Sequence, residues 1–522
     1  MKEIRELSEE ELMRAILKDK EMGLPDNEIG KKYGVSYKYI EKIITRLKGV
    51  NVSSVNKRKK IKFLEPPNFN LEETSVWSFK QRGNWATHSG EYRGNFSPYI
   101  PRNIILRYSR PGEMVLDMFC GGGTTAIECK LLGRRCIASD INEKAIELAR
   151  ENLAFNFKPL QFPDSPFREI FEPELYVKDA RDLSWIEDES IDLICTHPPY
   201  ANIIQYTDNA EEDLSFLDIE EFLREMQKVA KESFRVLKPG RQCALLIGDT
   251  RRRKHVIPLG FLLIDVYLKA GFKLRELIIK RQHNCKTTGF WYDKSIRNNF
   301  LLLAHEYLPV FEKPIKEKRI GQVSNKKSSL NFFRAKITEK DIKQPLETTT
   351  VWIFPENKRN TLLSYNLIKR YASEDSYIKI LIDKKLTFKK ANLERLKRAP
   401  YQLIWIDSKA CEEEIGFDEN EYLDLMLKIV KEAMDILRDK GYLAIGTKDV
   451  RENGIIVPFA KLITEKLSEI KTLWLKEIVI ITSNDEKQLD KAGYDRFNMS
   501  NINPFLKIVH SYLLIYEKVK NL

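Results

Sequence analysis

The chain has 522 residues, 43% of them apolar, and no run of eighteen or more apolar residues; several hydrophobic cores are expected and a membrane-spanning helix is not. Lysine and arginine number 88 against 76 aspartates and glutamates, a formal charge of +12 that favours a polyanionic partner without naming one. The seven cysteines (Cys120, Cys129, Cys136, Cys195, Cys243, Cys285 and Cys411) are scattered and form no CxxC pair. That spacing argues against a disulfide framework and a zinc site, so no metal is expected, and it fits reduced thiols in a cytoplasmic protein.

Residues 1–50 read as three short helices. Apolar periodicity from Glu9 to Met22 follows Ser8, a candidate N-cap with Glu11 three positions later. A second helix spans Asp26 to Tyr33, Gly34-Val35-Ser36 makes a tight turn, and Ser36 can cap a third helix carrying Ile40, Ile43, Ile44 and Leu47. Helix, glycine turn and capped helix resemble the helix-turn-helix of DNA-binding proteins; a small bundle used for protein contacts would show the same pattern. Residues 51–70 form a polar linker containing Asn56-Lys57-Arg58-Lys59-Lys60-Ile61-Lys62, either a solvated tether or an arm that touches phosphates.

From about Leu71 to residue 325 strand and helix patterns alternate. Strands are expected at Met114–Cys120, Arg135–Ile141, Leu175–Ala180, Ile191–His197, Gln242–Asp249, Lys273–Arg281 and Asn299–His305. Amphipathic helices are expected at Thr124–Leu132, Glu143–Phe155, Ile219–Leu237 and Pro258–Ala270. This alternation predicts an α/β fold with a doubly wound, mostly parallel sheet, and the last two strands, with no helix expected between them, predict an antiparallel pair at one edge.

Residues 335–522 read as a degenerate repeat of that domain. Leu71-Glu72-x-Thr74-x-Val76-Trp77-x-Phe79 returns as Leu346-Glu347-x-Thr349-x-Val351-Trp352-x-Phe354, a shift of 275 residues. Lys231-Glu232, Val236-Leu237, Asp249-x-Arg251 and Pro258 return as Lys431-Glu432, Ile436-Leu437, Asp449-x-Arg451 and Pro458, a shift of 200. Most of the missing length falls in the segment that holds a glycine loop in the first copy.

That loop is Asp117-Met118-Phe119-Cys120-Gly121-Gly122-Gly123-Thr124-Thr125, at a strand end and opening a helix. Glycines there let the backbone bend sharply and approach a ligand, and with no lysine after them a P-loop is excluded. Asp140, at the end of the next strand, suits a ribose diol, and Asp179, ending the third, could take an adenine amino group. Either acid alone is also an ordinary helix N-cap; the ordered set carries the argument. The fourth strand closes on Thr196-His197-Pro198-Pro199-Tyr200. Two prolines remove amide donors and leave carbonyls as acceptors on a stiff turn, and Tyr200 offers an aromatic face for an extruded base. An amino nitrogen conjugated to a ring is a poor nucleophile, so acceptors for its protons, with in-line proximity, are what methyl transfer to it needs.

These motifs resemble the DNA methyltransferases that methylate adenine N6 or cytosine N4. The resemblance covers residues 71–313 and implies S-adenosylmethionine as cofactor and double-stranded DNA as partner, leaving open a homodimer and a partner restriction nuclease. It assigns Phe96 and Ser97, in Phe96-Ser97-Pro98-Tyr99, to the methionine part of the cofactor. Asp117, Phe119, Gly121, Gly122, Gly123 and Thr124 would cradle the cofactor, Asp140 its ribose and Asp179 its adenine; Thr196, His197, Pro198, Pro199 and Tyr200 would hold the base. His197 departs from the Asp, Asn or Ser usual in that place. A neutral imidazole accepts an amino proton and a protonated one does not, so activity is expected to fall as pH drops from 7.5 to 5.5 through its ordinary pKa of about 6.5. A turn-shaping role for His197, with the Pro198 carbonyl as acceptor, is the alternative. The non-acidic residue before Pro-Pro lies closer to the cytosine-N4 version. The pattern argues against cytosine-C5 chemistry, which needs a nucleophilic cysteine beside a proline; Cys195 sits inside a strand without such a neighbour and reads as core.

Two regions remain for sequence reading. The segment Gln282–Arg297 mixes basic and aromatic residues (His283, Lys286, Phe290, Trp291, Tyr292, Lys294) and fits contact with a strand or groove. The second copy carries Ile406-Asp407-Ser408-Lys409 where Thr-His-Pro-Pro stood; it is expected to bind no cofactor and to serve DNA recognition or dimerisation. The competing readings are an RNA methyltransferase, since guanine-N2 methylation of tRNA uses a related Pro-Pro-Tyr loop, and a DNA-binding regulator without catalysis.

Overall fold

The computed structural model describes residues 8–48, 61–67, 69–90, 92, 94–157, 170–200, 214, 217–252, 254–283, 289–315, 328–333, 345–372, 376–386, 400–408, 419–483 and 504–520. The linker motif 56–60, and Lys286, Cys285, Lys409 and Cys411, lie outside them.

Three helices open the chain: α1 (Glu9–Glu21), α2 (Asp26–Tyr33) and α3 (Tyr37–Lys48). The expected capping box forms, Glu11 N–H donating to Ser8 Oγ at 3.2 Å and Ser8 N–H to Glu11 Oε2 at 2.9 Å. Gly34 ends α2 at φ +67°, a conformation cheap only without a Cβ. Met13, Ile16, Ile29, Ile40, Ile43 and Ile44 close a small core against Leu148 of the following unit.

The first sheet contains eight described strands: β1 (Val76–Ser78), β2 (Met114–Asp117), β3 (Arg135–Asp140), β4 (Glu174–Val177), β5 (Ile191–Thr196), β6 (Leu237–Leu245), β9 (Lys273–Arg281) and β10 (His305–Glu312), while β7 (Thr250–Arg252) and β8 (His255–Ile257) form a separate hairpin. Its order is β1-β9-β10-β6-β5-β2-β3-β4, parallel except for β10, which runs against both β9 and β6. Helices α4 (Tyr99–Tyr108), α5 (Thr124–Leu132), α6 (Glu143–Leu153), α7 (Ile219–Val236) and α8 (Leu259–Lys269) accompany it. The chain winds outward from β2 through β3 and β4, then returns on β2's other side as β5. Such a reversal opens a crevice at the carboxyl ends of the strands.

Three expectations need correction. The last strand runs from His305 to Glu312, where Asn299–His305 was expected: Asn299 turns at φ +45° and Leu302 bridges to Thr349 instead. The antiparallel member β10 is interior, because β1 adds in parallel outside β9, and α9 (Gly289–Arg297) lies between β9 and β10. Residues 328–333, expected to precede the second unit, form β11 (Ser328–Phe333) and pair with that unit's sheet.

The second sheet has β11, β12 (Val351–Phe354), β13 (Tyr377–Leu386), β14 (Tyr401–Ser408), β15 (Leu437–Thr447), β18 (Leu473–Ser483) and β19 (His510–Lys518), with β16 (Val450–Glu452) and β17 (Ile455–Val457) as its own hairpin. Read from β12, its order β12-β18-β19-β15-β14-β13 repeats β1-β9-β10-β6-β5-β2. Helices α10 (Arg359–Tyr371), α11 (Glu419–Ile436) and α12 (Phe459–Leu467) stand where α4, α7 and α8 do. Among the described residues, counterparts of α5, β3, α6 and β4 are absent.

The two halves meet through contacts that exchange. Arg251, on the first hairpin, pairs with the buried Glu477 and donates to the Leu301 carbonyl at 2.7 Å; Arg451, on the second, pairs with the buried Glu276 and donates to the Leu506 carbonyl at 3.3 Å. Glu477 in turn accepts from Leu301 N–H (3.0 Å) and Glu276 from Leu506 N–H (3.2 Å). Thr350 Oγ1 meets His305 Nδ1 at 2.8 Å, and Ser75 Oγ meets His510 Nδ1 at 2.7 Å; each imidazole's Nε2 then meets a tyrosine hydroxyl, Tyr307 or Tyr512, at 3.0 Å. Burial lowers both imidazoles to a pKa of about 3, so they act as neutral links. A single apolar cluster contains Leu245, Phe261 and Tyr307 from one half and Phe459, Tyr512 and Leu514 from the other. Contacts in which each surface plays both roles define an isologous interface.

Because Glu276 and Glu477 are buried, removing either arginine strands a charge. Arg451→Ala or Arg251→Ala is expected to destabilise the protein by about 3 kcal/mol or more, read as a lowered midpoint in urea unfolding at pH 7. A loss below about 0.5 kcal/mol in both would show the interface to be held by its apolar core alone.

Candidate cofactor and base site

At the reversal between β2 and β5 the structure has a cleft open to solvent. Its walls include Phe96, Phe119, Gly121, Asp140, Asp179, His197, Pro198 and Pro199, so residues of the glycine loop, both acids and the Pro-Pro turn face one space. Ser97, Asp117, Gly122, Gly123, Thr124, Thr196 and Tyr200 are not among its lining residues.

Several of these hold the walls instead. Asp117, fully enclosed between the strand ends, accepts the Thr196 hydroxyl at 2.6 Å and the Phe119 amide at 3.2 Å on Oδ1. That bond ties the first residue of the glycine segment to the first residue of the Pro-Pro turn. Burial raises the Asp117 carboxyl to about 6, against the lowering effect of its hydrogen bonds. Ser97 Oγ donates to the Arg82 carbonyl (2.7 Å) while Arg82 donates to the Phe96 carbonyl (2.9 Å), which fixes the Phe96 wall. Asp140 braces the bend, accepting Gly121 N–H on Oδ2 and Asn142 N–H on Oδ1, both at 2.9 Å.

The glycines are required by space as well as conformation. Gly121 and Gly123 sit at φ +49° and +83°, and a Cβ on Gly121 would lie 2.8 Å from the Tyr92 ring. Tyr92, Gly94 and Asn95, all lining the cleft, were missed by the sequence reading. The signal was their position directly before Phe96-Ser97, but nothing in their residue types marks a ligand wall. Asp179 accepts Arg181 N–H at 2.8 Å and the Arg181 guanidinium on both oxygens, and Arg181 also pairs with Glu225 at 2.8 Å. An acid so neutralised can still accept a hydrogen bond without carrying a bare charge into the cleft.

His197 packs against Phe96, ring centroids 5.3 Å apart, and its Nε2 lies 3.1 Å from the Tyr200 hydroxyl. Desolvation in this turn lowers its pKa to about 4, although nearby Glu306 pulls the other way. The imidazole is therefore neutral throughout the range where an ordinary histidine titrates, and a loss of activity near pH 6.5 would not come from His197. Of the segment 282–297, the described part is Gln282, His283 and helix α9; His283 Nε2 meets Ser78 Oγ at 2.8 Å. Among the described residues no cluster of His, Cys, Asp and Glu is placed to hold a metal, and no helix is long and apolar enough to cross a membrane.

Comparison with known proteins agrees with this arrangement. The family model described as DNA methylase (N6/N4) matches residues 18–151 and 191–377, and a general methyltransferase-domain model matches 109–255. The chain is 36% identical over 110 residues to the tRNA (guanine(10)-N2)-dimethyltransferase of Methanothermobacter thermautotrophicus, covering 21% of this chain and 29% of that one. It is 36% identical over 77 residues to the type II methyltransferase M.SmaI of Serratia marcescens (14% and 26% covered). With M.MthZI of Methanothermobacter thermautotrophicus it shares 29% over 157 residues (27% and 44% covered). The matched segments span less than half the length of these relatives.

Two outcomes follow from the cleft. Asp140→Ala should weaken S-adenosylmethionine binding by about ten- to hundredfold, the worth of hydrogen bonds to a charged acceptor, in calorimetric titration; unchanged affinity would remove Asp140 from the site. In NMR titration the imidazole resonance lost in His197→Gln should move near pH 4, the ring gaining its proton only as pH falls through that value. Movement near 6.5 would mean that the turn is open to water.

Proposed function

This chain belongs to the N6/N4 DNA methylase family, and on that footing we propose that it transfers a methyl group from S-adenosylmethionine to an exocyclic amino nitrogen of a base in double-stranded DNA, cytosine N4 in preference to adenine N6. One observation carries the reading: Gly121 and Pro198 line one cleft, and the Asp117–Thr196 bond ties the two loops together. The cleft fits the cofactor on its own terms, because Gly121 lines it where the Tyr92 ring leaves no room for a Cβ, and the carboxylates of Asp140 and Asp179 stand on its walls.

S-adenosylmethionine, when bound, supplies an electrophilic methyl on a sulfonium. Asp140 takes ribose hydroxyls, Asp179 faces the adenine end, and Phe96 and Phe119 supply apolar walls. Gly122, Gly123 and Thr124 shape the bend and open α5. The target amino group is held at the Pro-Pro turn. His197 has Tyr200 on Nε2, which commits the ring to shaping that turn and leaves the Pro198 carbonyl as acceptor of an amino proton. Pro199 stiffens the turn and Tyr200 offers the base its ring. Fixing the nitrogen in line, with its protons occupied, frees its lone pair without a strong base.

The flanking units complete the proposal. The first three helices act as a helix-turn-helix on duplex DNA, with exposed Tyr37 and Lys42 on α3 available to the groove. Residues 71–325 are the catalytic domain. The second half, which among the described residues lacks counterparts of the elements around the glycine loop, binds no cofactor and occupies, within one chain, the face a partner subunit would fill; its free surface is a platform for DNA. The preference for cytosine N4 rests on the non-acidic His197. Methylation of tRNA guanine N2 is the second reading, favoured by the identity to a tRNA methyltransferase.

Tritiated S-adenosylmethionine offered with duplex DNA, single-stranded DNA and tRNA separates these readings. Label in duplex DNA, recovered as an N-methylated base, is expected; label in tRNA alone would establish the second reading, and no label in any of them would leave a DNA-binding protein without catalysis. Calorimetry should find one S-adenosylmethionine per chain, in a particle of 61.2 kDa by light scattering. Two per chain would refute the inactive second half.

A further inference from the structure

Tyr200 is absent from the walls of the cofactor cleft, and its hydroxyl belongs to a polar chain that the reaction proposed above does not use. That hydroxyl donates to Glu306 Oε1 at 2.8 Å, and Lys280 donates to Glu306 Oε2 at 2.7 Å. Glu306 and Lys280 are register partners on the adjacent strands β10 and β9. Burial alone would raise the Glu306 carboxyl; the Lys280 ammonium, with the Tyr200 hydroxyl's hydrogen bond, holds it below the ordinary carboxylate value. The Tyr200 ring lies on Gly248, where a Cβ would come 3.2 Å from its Cε2 and 3.5 Å from Glu306 Cγ.

The second half supplies an internal control. In the register of β18 and β19, Ile480 and Tyr512 pair as Ile279 and Tyr307 do in the first sheet, and His510 holds the place of His305. Between them, Ile481 and Ser511 stand where Lys280 and Glu306 stand. Lys448, directly before Asp449, stands where Gly248 precedes Asp249, and by the spacing of the fourth strand Ala410 falls where Tyr200 does. The residues shared by both halves, His305 and Tyr307 with His510 and Tyr512, face the interface between them. The trio Gly248, Lys280 and Glu306 occurs only in the half that has the cleft. An ion pair needed for folding alone would be needed in both sheets.

We infer that Glu306, backed by Lys280, is the positioning residue of Tyr200, and through it of the turn that receives the target base; this rests on the methyl-transfer reading above. The phenol has one proton, which goes to the carboxylate, while its oxygen lies 3.1 Å from His197 Nε2, so one charged anchor sits behind both rings. Without the anchor the Tyr200 ring gains rotational freedom that each base binding must remove again.

The test measures transfer to duplex DNA and S-adenosylmethionine affinity side by side. Glu306→Gln and Lys280→Met should each lower kcat by about tenfold with S-adenosylmethionine Kd within twofold of the parent, and Lys280→Arg, which keeps the ion pair, should restore most of the rate lost in Lys280→Met. Tyr200→Phe should lose a similar factor, and adding Glu306→Gln to it should cost nothing more. Multiplying losses, or a Glu306→Gln rate within twofold of the parent, would overturn the inference. An independent readout is the 19F resonance of 3-fluorotyrosine at position 200, identified by its disappearance in Tyr200→Phe. It should shift or broaden in Glu306→Gln and Lys280→Met but not in Lys280→Arg. If the parent protein methylates no nucleic acid, the reaction fails while this resonance still decides the anchor, an unchanged line refuting it.

Discussion

Parallel strands β2 and β5 lie side by side with their carboxyl ends level, and one hydrogen bond joins those ends. Asp117 and Thr196 are 79 residues apart in the chain, yet their 2.6 Å contact fixes the distance between the glycine bend and the Pro-Pro turn. The contact costs burial of a carboxyl group, visible as a pKa raised to about 6. Asp140, Ser97 and Arg82 repeat the device at other walls: side chains of ligand-binding type spend their hydrogen bonds on backbone groups of the cleft. The site is a set of loops pinned by polar contacts beneath it, consistent with the demand that reacting atoms be held within fractions of an ångström.

The second constraint lies between the halves. Neither sheet is closed over by its own helices alone, since the largest apolar cluster runs through both. The arginines that cross the interface pair, among the described residues, with carboxylates of the opposite half. Apolar burial supplies most of the stabilisation, while the reciprocal Arg–Glu and His–Tyr links fix the relative register. Loss of the glycine-loop region from the second half costs this interface nothing, because the interface uses β8, β9, β17 and β18 and their neighbours. The elements around the cleft could diverge while the contact surface stayed fixed.

How far the sequence could be read follows the range of the interactions concerned. The capping box at Ser8, the span of α2 and the strand preceding Gly121 were legible because a few neighbouring residues decide them. The end of the first sheet was misplaced, since Asn299–His305 has strand composition but is claimed by a bridge to Thr349 across the interface. β1 was legible only as half of a repeated motif, because three residues give no periodicity. Tyr92, Gly94 and Asn95 were invisible as cleft walls for the same reason: their role comes from what faces them.

The residues themselves determined the αβ alternation, the two motif loops and their order, the doubled pattern, and the family these imply, because each depends on local backbone chemistry and short periodicities. Only the tertiary structure decided that His197 stays neutral down to about pH 4, that Asp117 is a brace under the floor, that β10 is interior, and that Glu306 reaches Tyr200 from 106 residues away. Each of those depends on desolvation or on contacts between segments distant in the chain, and neither quantity is written in the spacing of residues along it.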